Sequence, residues 1–521
     1  MLSGDRTVRL AAHSTIVRTP KVNAYIQTIL RNTGRLLHIP SVMALLTLPI
    51  CLIFQEYGNI LPFLLTSGVA FAVGQLLFRL FRRRTDVYLR EAMLIVAISW
   101  AAIPLVSALP FVLIASQSEP PLTPLSLLDF QNPLNAIFES MSGFTSTGLS
   151  MATSPSNLPH SLQWWRSFME WVGGVGIAIL ILSILEPTID EDKLYSAEGR
   201  SKKIGDTIKG TVQRIWKIYL LYTALGILLL RVAGMPWWDS INHAMAAIAT
   251  GGFSIKDDSI GSYSPLIQLA VIPIMIAGAI SFYTHYYFLR RRRLSALWID
   301  TQHRFLWALL AAGTLILAVE NYWFEGSFLW LDSVFQWVSA LGTCGYNTVT
   351  IQDWSAVVKV WLCFALIVGA AAGSTVGGIK MSRLAALCKG VLWRFKRIVR
   401  QPQAPIRYRI DSQELSEQEA NDRVRGASVL SLLWLAMLFL GTVILLHVVS
   451  PQYSTVDVFF EAASALGGVG LSTGITGPDL HWLGKVMLTV YMWMGRLEII
   501  PVLILLSTLL QGFEPVKSTQ E

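Results

Sequence analysis

The chain has 521 residues, of which 53% are apolar and only 14% charged, with a formal net charge of +8. A soluble globular chain carries about a quarter charged residues, and 18 Trp, 23 Phe and 15 Tyr exclude a disordered one. Segments 91–115, 218–234, 264–289, 427–449 and 484–510 are each long enough to cross a bilayer, which excludes a soluble enzyme and predicts a polytopic membrane protein.

In chain order, residues 1–40 read as a basic cytoplasmic segment without a cleavable signal, because the first apolar run begins near residue 40. Two leading spans follow, about 41–57 and 60–80, within residues 41–87. The rest divides into four units, 88–190, 191–295, 296–400 and 401–511, and a short tail, 512–521. Basic residues fall in alternate connections: Arg79, Arg82–Arg84 and Arg90; Lys193 through Lys217; Arg290–Arg293 with Arg304; and Lys380 through Arg425. Residues 116–130 contain no Lys or Arg. The positive-inside rule then predicts ten spans with both termini cytoplasmic. It leaves Arg166, Arg231, Lys256, Lys359 and Lys485 outside and Arg496 within the membrane. Cys51, Cys344, Cys363 and Cys388 have no CxxC spacing and read as small hydrophobes, and the eight His are too scattered for a metal centre.

Each of the four units contains an apolar segment too short to cross, ending in a Gly followed by a large apolar residue. These are Ser146-Thr147-Gly148-Leu149, Thr250-Gly251-Gly252-Phe253, Thr343-Cys344-Gly345-Tyr346 and Gly468-Val469-Gly470-Leu471. Thirteen positions before the third residue stand Asn135, Asp239, Asp332 and Asp457, expected as helix N-caps. Nine before stand Glu139, His243, Gln336 and Glu461; six before stand Ser142, Ala246, Ser339 and Ser464. A single Gly after a helix is usually a C-cap, but four in register make a repeat. A helix of about 11 residues spans roughly 16 Å, half the bilayer core, so it must enter and turn back. Its C-terminal end favours a cation, and non-helical backbone at that depth is tolerated only around protein or a water path. Four such loops around one axis predict a carbonyl-lined cation filter, and the absence of Asp or Glu at its positions favours potassium.

The stretches Ser142-Gly143-Phe144-Thr145-Ser146-Thr147-Gly148, Gly251-Gly252-Phe253-Ser254, Val469-Gly470-Leu471-Ser472, Gly369 through Lys380 and Gly495-Arg496-Leu497-Glu498-Ile499-Ile500-Pro501 resemble the Trk/Ktr/HKT superfamily of potassium transporters. The resemblance covers about residues 40–511, and the two leading spans point to its TrkH branch. It implies an all-α fold of four membrane–pore-helix–membrane repeats around one central pore, plus two N-terminal transmembrane helices. It implies a homodimer in a bacterial cytoplasmic membrane, potassium as the transported ion, no prosthetic group and a cytosolic nucleotide-binding regulatory subunit, TrkA-like. Gly148 at the first loop goes with potassium in the family, whereas Gly468 departs from the Thr-Val-Gly-Leu common in Ktr proteins.

Residues 369–378 carry four Gly, with Ser374 and Thr375 between them, and make a poor helix. They read either as small-residue packing or as a broken helix beneath the filter. The resemblance makes this an intramembrane gating loop, with Gly369, Gly373, Ser374, Thr375, Gly377, Gly378 and Lys380 as its residues. Gly173-Gly174-Val175-Gly176 reads as packing alone. Arg496, costly at membrane depth unless paired or wet, either pairs with a carboxylate such as Glu461 or faces the pore, as the resemblance implies. The basic connections 187–217 and 380–426 suit anionic lipid or the regulatory subunit, and nothing in their distribution calls for nucleic acid. Alternatives are a less selective sodium/potassium pathway or a proton-coupled symporter; a membrane enzyme would need clustered His, Asp or Glu.

Overall fold

In a computed structural model, residues 22–81, 89–117, 124–176, 204, 207–298, 300–399, 406–411 and 413–512 are described. Residues 82–84, most of the 187–217 connection and the 512–521 tail beyond Gly512 lie outside them, so the sequence expectations there stand without a structural counterpart.

Apolar composition and short polar breaks give a chain of helices. Helices α1 (Val22–Leu36), α2 (His38–Ile53) and α3 (Ile60–Leu80) come first. The leading helical segment therefore starts well before residue 41, with Ala24–Ile53 forming one 30-residue candidate span. Helices α1 and α3 cross closely: a methyl group added at Gly34 would lie 2.7 Å from the Gly74 carbonyl oxygen.

The first unit contains α4 (Leu89–Ser107), α5 (Leu109–Ser116), α6 (Leu125–Leu128), α7 (Pro133–Thr145) and α8 (His160–Val175). The second contains α9 (Ile208–Val232), α10 (Trp237–Ile248), α11 (Pro265–Ala279) and α12 (Phe282–Arg291). The third contains α13 (Thr301–Glu325), α14 (Trp330–Leu341), α15 (Ala356–Val368) and α16 (Met381–Val399). The fourth contains α17 (Glu417–Val448), α18 (Thr455–Gly467), α19 (Trp482–Arg496) and α20 (Ile500–Gln511). A two-stranded antiparallel hairpin, Tyr408–Ile410 with Gln413–Leu415, precedes α17.

Among the described residues, six helical segments are long and apolar enough to cross a membrane. The segments 264–289 and 484–510 are not straight crossings: α11 and α12 meet at 104°, α19 and α20 at 117°. Helix α15 ends at Val368 and α8 at Val175, so all four second helices stop after 13 to 16 residues. The breaks fall at Gly176 with φ 104°, Gly369 with φ 61°, the Ser281 N-cap of α12, and Glu498 and Ile499 at positive φ.

The four short helices α7, α10, α14 and α18 are 12 or 13 residues long. Each second helix packs against the short helix of its own unit and that of the next: α8 on α7 and α10, α11 on α10 and α14, α15 on α14 and α18, α19 on α18 and α7. This closes the units into a ring. The long first helices pack on the outside of their own short helices.

Candidate functional site: a ring of four glycine loops

The short helices begin three residues earlier than the sequence suggests. Asn135, Asp239, Asp332 and Asp457 are not N-caps; those positions are Asn132, Pro236, Leu329 and Ser454. The four polar residues stand at the third helical position, where an acidic side chain still meets free N–H groups and the positive end of the dipole. Only Ser454 and Asp457 form a reciprocal capping box.

All four helices end alike. The N–H groups of Thr147, Gly251, Cys344 and Val469 reach the carbonyls of Ser142, Ala246, Ser339 and Ser464 at 2.9, 3.0, 2.8 and 2.9 Å. The N–H groups of Ser146, Thr250, Thr343 and Gly468 reach the carbonyls of Gly143, Ala247, Ala340 and Ala465. This is the Schellman arrangement, which places the first residue of each tetrapeptide in the left-handed region. Their φ values are 52°, 52°, 49° and 63°. Two Thr and one Ser hold a conformation that disfavours side chains with a Cβ, at a cost of order 1–2 kcal/mol each.

The third residues, Gly148, Gly252, Gly345 and Gly470, also share a positive φ, 89°, 93°, 79° and 96°. A methyl group at Gly148 would lie 2.1 Å from the Gly251 carbonyl oxygen; at Gly252, 2.3 Å from that of Cys344; at Gly345, 2.2 Å from that of Val469; at Gly470, 2.0 Å from that of Thr147. Each loop thus abuts the second carbonyl of the next, and the fourth abuts the first. Both the dihedral and the approach require Gly. Leu149, Phe253, Tyr346 and Leu471 are buried, and the Tyr346 hydroxyl donates to the His243 carbonyl at 3.1 Å.

The residues nine positions before each third Gly staple the returning strand of their own loop. Glu139 accepts from Ser150 Oγ and Met151 N at 2.9 and 2.7 Å. His243 donates from Nδ1 to the Asp239 carbonyl, which leaves Nε2 to accept from Ser254 Oγ at 3.0 Å. Gln336 donates to Thr348 Oγ1 at 3.4 Å, and Glu461 accepts from Ser472, Thr473 and Thr476. Arg166, expected on the external side of the membrane, is buried within the protein: its Nε donates to Glu139 at 2.7 Å, its Nη1 to the Ser254 carbonyl at 2.8 Å, and it lies over the Phe253 ring.

The chain between α15 and α16 packs on two of these loops and on the end of α18. Thr250 Oγ1 donates to Thr375 Oγ1 at 3.0 Å, and Gly377 N to Thr343 Oγ1 at 3.1 Å. A methyl at Gly377 would lie 2.0 Å from the Gly467 carbonyl oxygen. Gly369, Gly373 and Gly378 have positive φ; Gly373 accepts from Phe282 N at 3.0 Å, Ser374 Oγ donates to Ala371, and Lys380 to Val376. Arg496 Nη1 donates to the Thr375 carbonyl at 2.9 Å, and Nη2 to those of Gly173 and Gly174. Glu461 is engaged as above, and Glu498 pairs with Arg383. The segment 173–176 is therefore both a packing surface and the acceptor for Arg496.

Three features escaped the sequence reading. Glu170 sits on α8, yet both its carboxylate oxygens accept from Phe253 N, at 3.0 and 3.2 Å. The fourth residue of each second helix, Gln163, Gln268, Lys359 and Lys485, donates to a carbonyl of the loop before it. Three of these also reach the next unit: Gln163 accepts from Trp238 at 2.9 Å, while Lys359 and Lys485 donate to Asp457 and Asn135 at 2.7 Å. They recur 14 to 16 positions after each third Gly, a signal present in the sequence. On the loops outside the helices, Asp257 accepts from Ser154 Oγ, Ser156 N and Ser156 Oγ. Burial pushes its carboxyl up, and those hydrogen bonds outweigh it and hold it below the usual range.

The profile of the TrkH family, described as a cation transport protein, matches residues 62–513. The chain belongs to the TrkH family. A TrkH chain of Halomonas elongata, a Trk system potassium uptake protein, is 30% identical over 92% of this chain and 98% of its own. A cation transporter of Methanocaldococcus jannaschii is 29% identical over 93% and 96%. The crystal structure of the potassium transporter TrkH from Vibrio parahaemolyticus superposes with a TM-score of 0.78 at 26% identity, covering 92% of this chain and 98% of that one. TrkH membership makes this a transporter rather than an enzyme and confirms the all-α membrane fold.

Proposed function

We propose that the protein takes up potassium ions across the cytoplasmic membrane through the ring of glycine loops. The carrying observation is the closed contact of third-position Gly with second-position carbonyl around all four loops. Peptide planarity supports carbonyls turned inward: Gly470 N donates to Ser464 Oγ on its own helix at 3.1 Å, so the Val469 carbonyl on the same peptide points the other way. Ser146–Leu149, Thr250–Phe253, Thr343–Tyr346 and Gly468–Leu471 are the filter, and a ring without carboxylates suits a weakly hydrated monovalent cation. Potassium uptake also agrees with the names of the relatives in Halomonas elongata and Escherichia coli.

Residues 369–380, tied to two filter loops and to Arg496 and packed on the end of α18, are the gate. Positive connections face the cytoplasm, where a TrkA-like regulatory subunit docks, and the chain works as a homodimer.

Potassium-limited growth of a strain lacking its own uptake systems tests the reading. The unaltered chain restores growth, and Gly148→Ser or Gly345→Ser cuts it, since each adds a side chain where only 2.1 or 2.2 Å is free. Rescue indifferent to both substitutions sinks the filter.

A further inference from the structure

The four loops are not held alike at the position six residues before the third Gly. Ser339 Oγ donates to the Tyr346 carbonyl at 2.6 Å, and Ser464 Oγ accepts from Gly470 N at 3.1 Å, so the third and fourth loops are fastened by their own helix. The second loop has Ala246 there, with no hydroxyl to offer. Its Phe253 N–H is instead taken by Glu170, from a helix of the preceding unit 83 residues away, at 3.0 and 3.2 Å. Glu170 is fully buried. Its backbone carbonyl also accepts from Ser146 Oγ at 3.1 Å, so this one residue bridges the first and second loops. The carboxylate fills the space beside Gly251, where a methyl group would lie 2.4 Å from its Cδ.

We infer that Glu170 is a positioning residue for ion selection: it fixes the Gly252–Phe253 peptide and so aims the Gly252 carbonyl. That N–H and that carbonyl belong to one planar trans peptide and point in opposite directions. With the N–H held against α8, the carbonyl is directed away from α8 and cannot rotate without leaving a buried donor unpaired. Hydrogen bonding at the N–H also polarises the carbonyl of the same group. The inference rests on the filter reading above and concerns which outside group sets its second loop.

The experiment measures potassium and sodium flux into liposomes for the full chain and four variants. Glu170→Gln keeps an acceptor at the same reach, and its potassium-to-sodium ratio stays within about twofold. Glu170→Ala lowers that ratio about tenfold, the effect of one unpaired buried donor. Gly251→Ala, whose backbone admits a side chain, displaces the carboxylate and reproduces the loss with Glu170 intact. A defect of folding alone lowers both fluxes and leaves their ratio. If Glu170→Ala and Gly251→Ala both keep the ratio while Gly345→Ser collapses it, the filter stands and this inference falls. If Gly345→Ser also keeps it, the filter reading falls and takes this inference with it. Should Glu170→Ala fail to assemble, an unchanged ratio in Gly251→Ala overturns the inference by itself.

Discussion

For Arg496 the sequence leaves two readings open, a carboxylate partner or a place facing the pore. An arginine at membrane depth demands a partner, and a carboxylate is the obvious candidate. The structure supplies carbonyls instead: those of Gly173 and Gly174 in the last turn of α8, and that of Thr375 in the non-helical chain between α15 and α16. Helix ends leave carbonyls unsatisfied, so two breaks in the backbone create the acceptors for one guanidinium. No pattern in a linear sequence announces this, because it depends on where two distant helices end. Hydrogen bonds to a charged donor are worth about 1.5–3 kcal/mol each. Losing the one on Thr375 is therefore enough to move a loop equilibrium by tenfold or more. Arg496→Ala is expected to raise potassium flux into liposomes by about that factor. A correctly assembled variant with unchanged flux counts against Arg496 as the latch of the gate.

At the scale of elements, the short helices, their glycine loops and the break at 369–378 were readable, whereas the breaks inside 264–289 and 484–510 were not. Local rules act on the former: a helix of 12 or 13 residues, a Schellman end, a Gly at fixed register. The break between α11 and α12 follows an apolar run with Gly278, Ala279 and Ile280, which reads as a continuous span. What forces it is tertiary: Ala371 N and Phe282 N bond to Ala279 and Gly373 across the two segments, so the 369–380 chain takes the groups that a straight helix would use itself. The same interleaving makes Gly377 a sensitive position. Its φ is not in the left-handed region, so Ala is allowed by the backbone, but the added methyl would lie 2.0 Å from the Gly467 carbonyl oxygen. Overpacking of this kind costs about 1–3 kcal/mol, borne by the loop rather than by the pore helix it strikes. Gly377→Ala is expected to raise flux several-fold with the potassium-to-sodium ratio unchanged. A fall in the ratio would place Gly377 in the proposed filter rather than the proposed gate.

The whole molecule is a ring, and a ring is as stable as its weakest closure. Two sets of contacts run in the same sense, each reaching forward to the next unit: the glycine-to-carbonyl contacts of all four loops, and the side chains at the fourth position of three of the four second helices. The charge pattern placed Lys359 and Lys485 outside the membrane and assigned them nothing further; they are buried tethers between units. Lys359 with Asp457 joins the third unit to the fourth, and Lys485 with Asn135 joins the fourth back to the first. The Lys359 and Asp457 side chains are 8% and 9% exposed, so each charge depends on the other. Removing one member of a buried pair costs about 3–5 kcal/mol, because the other is left unpaired, whereas replacing both costs far less. Lys359→Met is therefore expected to lower thermal stability in detergent markedly, and adding Asp457→Asn should recover part of the loss. Because Asp457 also caps its own helix through Ser454, the recovery should be incomplete. Equal melting temperatures for the unaltered chain and Lys359→Met would show that the third and fourth units hold together without this ion pair.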